Sequence, residues 1–261
     1  MKKLLLGLKI KIVKYLYMPK IIIANWKMKL SVEESLRLAS KLNVGLVKSH
    51  RQVIVCPDFV SLPLIAASGF SDNFSLGAQD CAIKNNGALT GEVSSSTLKE
   101  VGATYVILGH SERRQLQKED DVTINEKVLA ALEAGLKVIL CVGESAKEKA
   151  AKETKKVILK QLKGALKNVS LKKSPKGAEV LIAYEPIWAI GSGEAMEAEE
   201  AGVVASYIIK EGEKLLGKRS KVLYGGSVDE ENASLFLKKK EISGLLVGGL
   251  SLEAESFLSI C

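Results

Sequence analysis

Eight short apolar runs, separated by stretches of helical periodicity, constrain this chain more than any other feature. The runs are residues 21–25, 53–56, 75–78, 105–109, 138–142, 180–184, 222–224 and 245–247, rich in Ile, Val and Leu. They are continuously apolar rather than alternating, the pattern of strands covered on both faces. Between them apolar residues recur at helical spacing. Residues 32–47 carry Leu36, Leu38, Leu42 and Leu46, and residues 122–134 carry Val128, Leu129 and Leu132. Residues 147–166 and 197–216 show the same periodicity. Strand–helix alternation implies right-handed crossovers and a parallel sheet. Eight such units predict an α/β fold, a single-domain (β/α)8 barrel, an architecture that takes ~250 residues. The competing doubly wound open sheet carries a GxGxxG turn after its first strand. Here that turn reads Asn25-Trp26-Lys27-Met28, so the barrel is preferred.

Composition excludes several classes. With 47% hydrophobic and 26% charged residues the 261-residue chain is ordinary globular sequence rather than disordered. The net charge is +8, but Lys2, Lys3, Lys9, Lys11 and Lys14 supply five of those charges within residues 1–17, which hold no acid. The remaining +3 suits a small anionic substrate and falls short of a nucleic-acid signature, so no nucleic-acid partner is expected. Cys56, Cys81, Cys141 and Cys261 lie far apart, with no CxxC pair and no cluster with His. That argues against zinc and for reduced thiols in a cytoplasmic protein. No metal or cofactor is expected.

Residues 1–17 begin like a secretory signal, but Lys9, Lys11 and Lys14 interrupt the apolar run and no small-residue cleavage site follows. The segment is also too short and too charged to span a bilayer. Three readings stay open: an upstream in-frame start with Met18 the initiator, a disordered basic extension, or a weak membrane-surface helix. The first is favoured, because Met18-Pro19-Lys20 leads straight into the first strand. The organisation expected is thus a basic extension over 1–17 and a catalytic barrel over 18–261, with no membrane partner.

In a barrel, function sits at the C-terminal ends of the strands. Asn25 and Lys27 follow the first run, His110 the fourth and Glu185 the sixth. The seventh ends in Gly225-Gly226-Ser227 and the eighth in Gly248-Gly249. Side chains alternate along an extended segment, so Asn25 and Lys27 are expected to face the barrel mouth together while Trp26 packs outward. Glu185 stands where a general base is useful, and His110 where an acid/base or electrophilic group is. The other histidine, His50, reads as a surface residue. Paired glycine-rich turns offer backbone N–H groups to a phosphate. Residues 186–193 are apolar, bounded by Pro and Gly and without helical period, which fits a lid over the site.

The segments Ala24-Asn25-Trp26-Lys27-Met28, Gly109-His110-Ser111-Glu112-Arg113-Arg114, Tyr184-Glu185-Pro186-Ile187-Trp188-Ala189-Ile190-Gly191, Tyr224-Gly225-Gly226-Ser227 and Val247-Gly248-Gly249 carry a resemblance over residues 18–261. Together they resemble the triosephosphate isomerase family, whose fold is the TIM barrel. The resemblance implies an enzyme that interconverts dihydroxyacetone phosphate and D-glyceraldehyde 3-phosphate, in glycolysis and gluconeogenesis, without a cofactor. It implies that Glu185 is the base, His110 the electrophile, Lys27 the source of positive charge and Asn25 an orienting group. It implies phosphate binding by Gly191, Ser227, Gly248 and Gly249, with Glu112 beside Lys27. It also implies a homodimer through residues 81–92, with Thr90 supporting the neighbour's active site, and a structural ion pair between Glu92 and Arg113. Ser192 and Glu194 at the lid's far hinge, Leu250 and Leu89 depart from the family's usual residues.

Two other functions compete with this reading. Another sugar-phosphate isomerase or epimerase shares the glycine-rich turns but does not need Asn25, Lys27, His110 and Glu185 together. A non-catalytic phosphate-binding barrel predicts loss of Glu185, His110 or Lys27, and all three are present.

Overall fold

The computed structural model describes residues 19–69, 72–172, 174–191 and 195–261. The basic segment 1–17, the proposed initiator Met18 and the far lid hinge at Ser192 and Glu194 lie outside the described residues. Eight parallel strands close into a barrel in sequence order. They are β1 (Ile21–Asn25), β2 (Gln52–Cys56), β3 (Ser75–Ala78), β4 (Tyr105–Leu108), β5 (Lys137–Val142), β6 (Val180–Tyr184), β7 (Lys221–Tyr224) and β8 (Ile242–Val247). β1 closes the ring by pairing with both β2 and β8. Each expected strand is present, with ends moved by up to three residues.

The helices α1 (Val32–Gly45), α2 (Ser61–Ala67), α3 (Ser95–Glu100), α4 (Ser111–Leu116), α5 (Asp121–Glu133), α6 (Ala146–Ala150), α7 (Thr154–Ala165), α8 (Ala198–Leu216), α9 (Ala233–Leu237) and α10 (Ala254–Ser259) surround it. Local chemistry sets their limits. Ser31 and Glu34 form a capping box at the start of α1. Gly217, left-handed at φ 68°, ends α8. The periodic stretch 147–166, expected as one helix, is two. Lys152 adopts a left-handed φ of 59° between α6 and α7, and Ser145 and Glu148 cap the first piece as a separate helix.

Two cores follow from strand alternation. Ile21, Ile23, Ile54, Cys56, Tyr105, Ile107, Ile139, Cys141, Leu181, Ala183, Leu223 and Leu246 fill the barrel. Their neighbours Ile22, Ala24, Val53, Val55, Val106 and Leu108 face the helices in the larger outer core. Each inner column then runs on past the strand end toward the mouth. In β1 the column is Ile21, Ile23 and Asn25; in β5 it is Ile139, Cys141 and Gly143; in β6 it is Leu181, Ala183 and Glu185. The barrel thus delivers polar groups and a glycine to one rim by continuing its own packing pattern.

Candidate active site

Asn25 is buried at the end of β1, and its Oδ1 accepts a hydrogen bond from Lys27 N at 3.1 Å. Trp26 is buried in the outer core, as the alternation requires. Lys27 reaches the rim by another route than the one expected. The strand stops at Asn25, and Lys27 is left-handed at φ 54°. That region costs a residue with a Cβ roughly 1–2 kcal/mol. The Gln79 amide holds the strained turn, donating to Lys27 O at 2.8 Å and to Cys56 O at 3.0 Å. The Lys27 ammonium meets Glu112 Oε1 at 2.6 Å, so the expected pairing of these two is present. It lies over the second glycine-rich turn, where a Cβ on Gly248 would stand 3.8 Å from Lys27 Nζ.

His110 caps the start of α4, its Nδ1 accepting from Glu112 N at 3.2 Å. A ring nitrogen that accepts a backbone N–H carries no proton, which places the imidazole hydrogen on Nε2. Nε2 lies 3.1 Å from Glu185 Oε1. Glu185 is 2% exposed and its Oε2 accepts from Ser111 N at 2.9 Å. The N-terminus of α4 thus supplies one backbone donor to the imidazole and a second to the carboxylate. Cys141, the last inward residue of β5 before Gly143, lies against Glu185. Burial, with that carboxylate beside it, holds the thiol protonated far above the ordinary range.

The segment joining β5 to α6 touches both Glu185 and the root of the loop that follows it. Gly143 faces Glu185 so closely that a Cβ there would stand 1.7 Å from the Glu185 carbonyl oxygen. Glu144, fully buried, accepts from Tyr184 Oη at 3.1 Å and from Trp188 Nε1 at 3.1 Å. Its own carbonyl accepts from Ile187 N. Burial raises the Glu144 carboxyl above its usual range, partly offset by the Trp188 and Tyr184 bonds. The lid segment is not wholly aperiodic: Ile187–Ala189 form a 3₁₀ turn with Ala189 buried, and the Lys149 ammonium sits 3.8 Å over the Trp188 ring. On its far side Met196 N donates to Tyr224 Oη.

Gly225 and Gly248 continue the inward columns of β7 and β8 above Leu223 and Leu246, and their missing side chains make room for Glu185 and Lys27. A Cβ would stand 3.1 Å from Glu185 Cγ at Gly225 and 3.5 Å from Lys27 Cε at Gly248. Ser227 is half-buried after β7, and Gly249 opens a 3₁₀ turn, Gly249–Leu252. Gly191 is exposed, left-handed at φ 68°. Asn25, Lys27, His110, Glu112 and Glu185 are therefore brought together by direct contacts or one intervening residue. Thr90 is not. It lies exposed on the loop after β3, with no hydrogen bond to the rim among the described residues. Within the chain, Glu92 and Arg113 do not pair among the described residues. Glu92 is exposed, and Arg113 Nε instead meets Glu119 Oε1 at 2.7 Å and Asp80 Oδ2 at 2.9 Å, both buried carboxylates on its own chain. His50 is exposed, as expected.

Sequence reasoning missed Gln79, Ser111, Gly143 and Glu144 as neighbours of the site. Ser111 and Gly143 act through the backbone, which residue type does not reveal. Gln79 and Gly143 occupy inward register positions one step beyond strand ends, a signal that was available.

Comparison with known proteins agrees with this geometry. The family model described as triosephosphate isomerase matches residues 20–261. The triosephosphate isomerase of Alkaliphilus oremlandii is 43% identical over 244 residues, covering 92% of this chain and 97% of that protein. That of Aquifex aeolicus is 42% identical over 247 residues, covering 93% and 98%. The crystal structure of the Bartonella henselae triosephosphate isomerase superposes with a TM-score of 0.81 at 34% identity, covering 94% of this chain and 98% of that one. A closed eight-stranded barrel with this rim, matched over nearly its whole described length, places the chain in the triosephosphate isomerase family.

Proposed function

We propose that Asn25, Lys27, His110 and Glu185 carry the chemistry of this enzyme. The chain is a triose-phosphate isomerase. It interconverts dihydroxyacetone phosphate and D-glyceraldehyde 3-phosphate through an enediolate, in glycolysis and gluconeogenesis.

The observation that carries the assignment of roles is the 3.1 Å contact between Glu185 Oε1 and His110 Nε2. It sets a carboxylate and an N–H donor side by side at one buried point. A substrate carbonyl oxygen takes the place of Glu185 Oε1 at Nε2, leaving the carboxylate free to face the adjoining carbon. Glu185 removes a proton from that carbon and becomes the carboxylic acid. The electron pair moves onto the carbonyl oxygen, where His110 Nε2–H and the Lys27 ammonium stabilise it. His110 Nε2 gives its proton to that oxygen and takes the proton of the hydroxyl on the adjoining carbon. The oxygen of that hydroxyl becomes the new carbonyl as Glu185 returns its proton to the former carbonyl carbon; no net proton is consumed. Asn25 orients Lys27 through its backbone N–H, and Glu112 holds the ammonium in place.

Phosphate is held by backbone N–H groups of Gly191, Gly248 and Gly249 and by the Ser227 hydroxyl. The absence of side chains at the three glycines favours such close approach. Remote binding of the phosphate supplies energy for closing the lid, which keeps water from the enediolate.

The enzyme acts as a homodimer through residues 81–92, with Thr90 supporting the neighbouring site. Exposed apolar side chains beside the strand ends favour this, among them Met28 at 93% exposure, Phe59, Val60 and Leu64. The buried free thiols of Cys56, Cys81 and Cys141 favour a cytoplasmic location.

A coupled assay of triose phosphate interconversion tests the roles, with Glu185→Ala alongside the unmodified chain. Turnover reduced by several orders of magnitude in a folded variant is the expected result. A variant within tenfold of the parent would remove Glu185 as the base.

A further inference from the structure

Gln161 projects from α7, a helix of the outer layer, toward the barrel rim. Its side-chain amide makes two hydrogen bonds to one residue. Oε1 accepts from Gly143 N at 2.8 Å, and Nε2 donates to Gly143 O at 2.9 Å. An amide that satisfies both backbone groups of a single residue imitates the edge of a neighbouring strand. It fixes the position and the orientation of that peptide at once.

The peptide it fixes lies in direct contact with the base. β5 and β6 pair with Cys141 opposite Ala183 and Val142 opposite Tyr184. One step further along the register, Gly143 falls beside Glu185. Glu185 N donates to Val142 O at 2.8 Å. The Glu185 carbonyl oxygen occupies the place of a Gly143 side chain, 1.7 Å from where a Cβ would stand. The main chain of Glu185 is thus seated on Gly143. The next residue, Glu144, anchors the lid root through Ile187 N and Trp188 Nε1. Whatever sets the position of residues 143–144 therefore sets the base and the start of the lid together.

We propose that Gln161 is a positioning residue for the isomerisation, acting on the Glu185 carboxylate and on the lid through the Gly143–Glu144 backbone. The proposal rests on the reading of Glu185 as the base. Gln161 touches neither substrate nor reacting atom. Without it Gly143 loses both hydrogen bonds to its side-chain partner, the seat under Glu185 loosens, and the carboxylate samples positions away from the substrate carbon. Misplacement of about 1 Å in a reacting group costs on the order of a hundredfold in rate. Three of the four proposed phosphate contacts, Ser227, Gly248 and Gly249, lie on the turns after β7 and β8, away from Gly143. Most of the ground-state affinity is therefore left in place, and only the Gly191 contact on the lid is exposed to the change.

The test compares the unmodified dimer with Gln161→Met, Gln161→Glu and Glu185→Ala. Far-UV circular dichroism establishes folding, and kcat, KM and the inhibition constant of inorganic phosphate are measured for each. Gln161→Met keeps the volume and removes both bonds. It is expected to lower kcat about tenfold or more, with KM and the phosphate constant within about twofold. Gln161→Glu keeps the bond from Gly143 N and is expected to fall between Met and the parent. A structural role alone would lower the melting temperature and leave kcat per folded enzyme within twofold, and that result overturns the proposal. If Gln161→Met does not fold, Gln161→Glu carries the test by the same criterion: reduced kcat at constant KM supports it, unchanged kcat ends it. Glu185→Ala separates the two levels. Full activity there removes the base assignment itself, whereas its inactivity beside an unaffected Gln161→Met removes only the positioning role.

Discussion

Behind the rim, the buried side chains of Lys127, Asp80 and Glu119 form a charged cluster with the half-buried Arg113, and its pH response follows from its geometry. Lys127, 3% exposed, meets Asp80 Oδ2 at 2.6 Å and Glu119 Oε1 at 2.5 Å. Arg113 Nε bridges the same two carboxylates. Each carboxylate keeps one buried oxygen, Asp80 Oδ1 and Glu119 Oε2, without a hydrogen-bond partner. Two cations balance two anions, yet Asp80 is raised from 3.8 to about 6, because burial penalises its charge more than Lys127 repays and Glu119 adds repulsion. A carboxyl raised by folding binds its proton more tightly in the native state. Its contribution to stability is complete below pH 3.8 and is lost as pH rises through about 6. The shift corresponds to about 3 kcal/mol. Asp80→Asn keeps the shape and an acceptor for Lys127 while removing the titration. Urea denaturation of both proteins, at one protein concentration and at several values between pH 4 and pH 7.5, reads the difference directly. The parent should lose about 2.4 kcal/mol relative to Asp80→Asn across that range, the rest of the shift lying below pH 4. A flat difference, or a parent that gains relative stability as pH rises, would refute the argument that burial dominates at Asp80.

Two further outcomes follow from single backbone or surface features. Lys27 is left-handed at φ 54°, so Lys27→Gly should be about 1 kcal/mol more stable than Lys27→Ala in urea, although both lose turnover; equal stabilities would show that the turn is unstrained. Met28 is almost fully exposed just past the end of β1, among the apolar side chains proposed to meet the partner, so Met28→Glu should convert the dimer to a monomer in sedimentation velocity. An unchanged dimer would move the interface away from this face.

The barrel was legible because strand periodicity and packing agree at every turn of the fold. Continuous apolar runs such as Ile21–Asn25 and Val180–Tyr184 are buried on both faces, and the helices between them bury one stripe. The rim was legible for the same reason: Asn25 and Glu185 extend inner columns whose earlier members fill the barrel. Reading failed where the chain leaves those periods. Lys27 was expected on an extended segment and sits instead in a left-handed turn held by Gln79, and the stretch 147–166 breaks at left-handed Lys152. Neither conformation is encoded by residue type, since lysine disfavours both.

A second kind of failure left a trace in the sequence. Lys127 lies on the same face of α5 as Ile124, Val128 and Ala131, all fully buried. Gln161 likewise shares its face of α7 with Ile158 and Ala165. A polar residue on an apolar stripe must find a partner inside or leave water at a cost of several kcal/mol. Lys127 finds the two carboxylates behind the rim, and Gln161 finds the peptide of Gly143. In both cases the helix supplies a polar group from outside to a segment just beyond a strand end, where ladder hydrogen bonding has stopped and the peptide or carboxylate would otherwise be buried unpaired. A barrel that builds its site beyond its strands needs such groups, because the sheet that holds the core in place no longer reaches the residues that do the chemistry. Long polar side chains that interrupt an outer helix's apolar stripe therefore mark helices that support the rim, and Lys127 and Gln161 point to α5 and α7. The short Ser35 on the stripe of α1, by contrast, is buried without a hydrogen-bond partner and reaches nothing there.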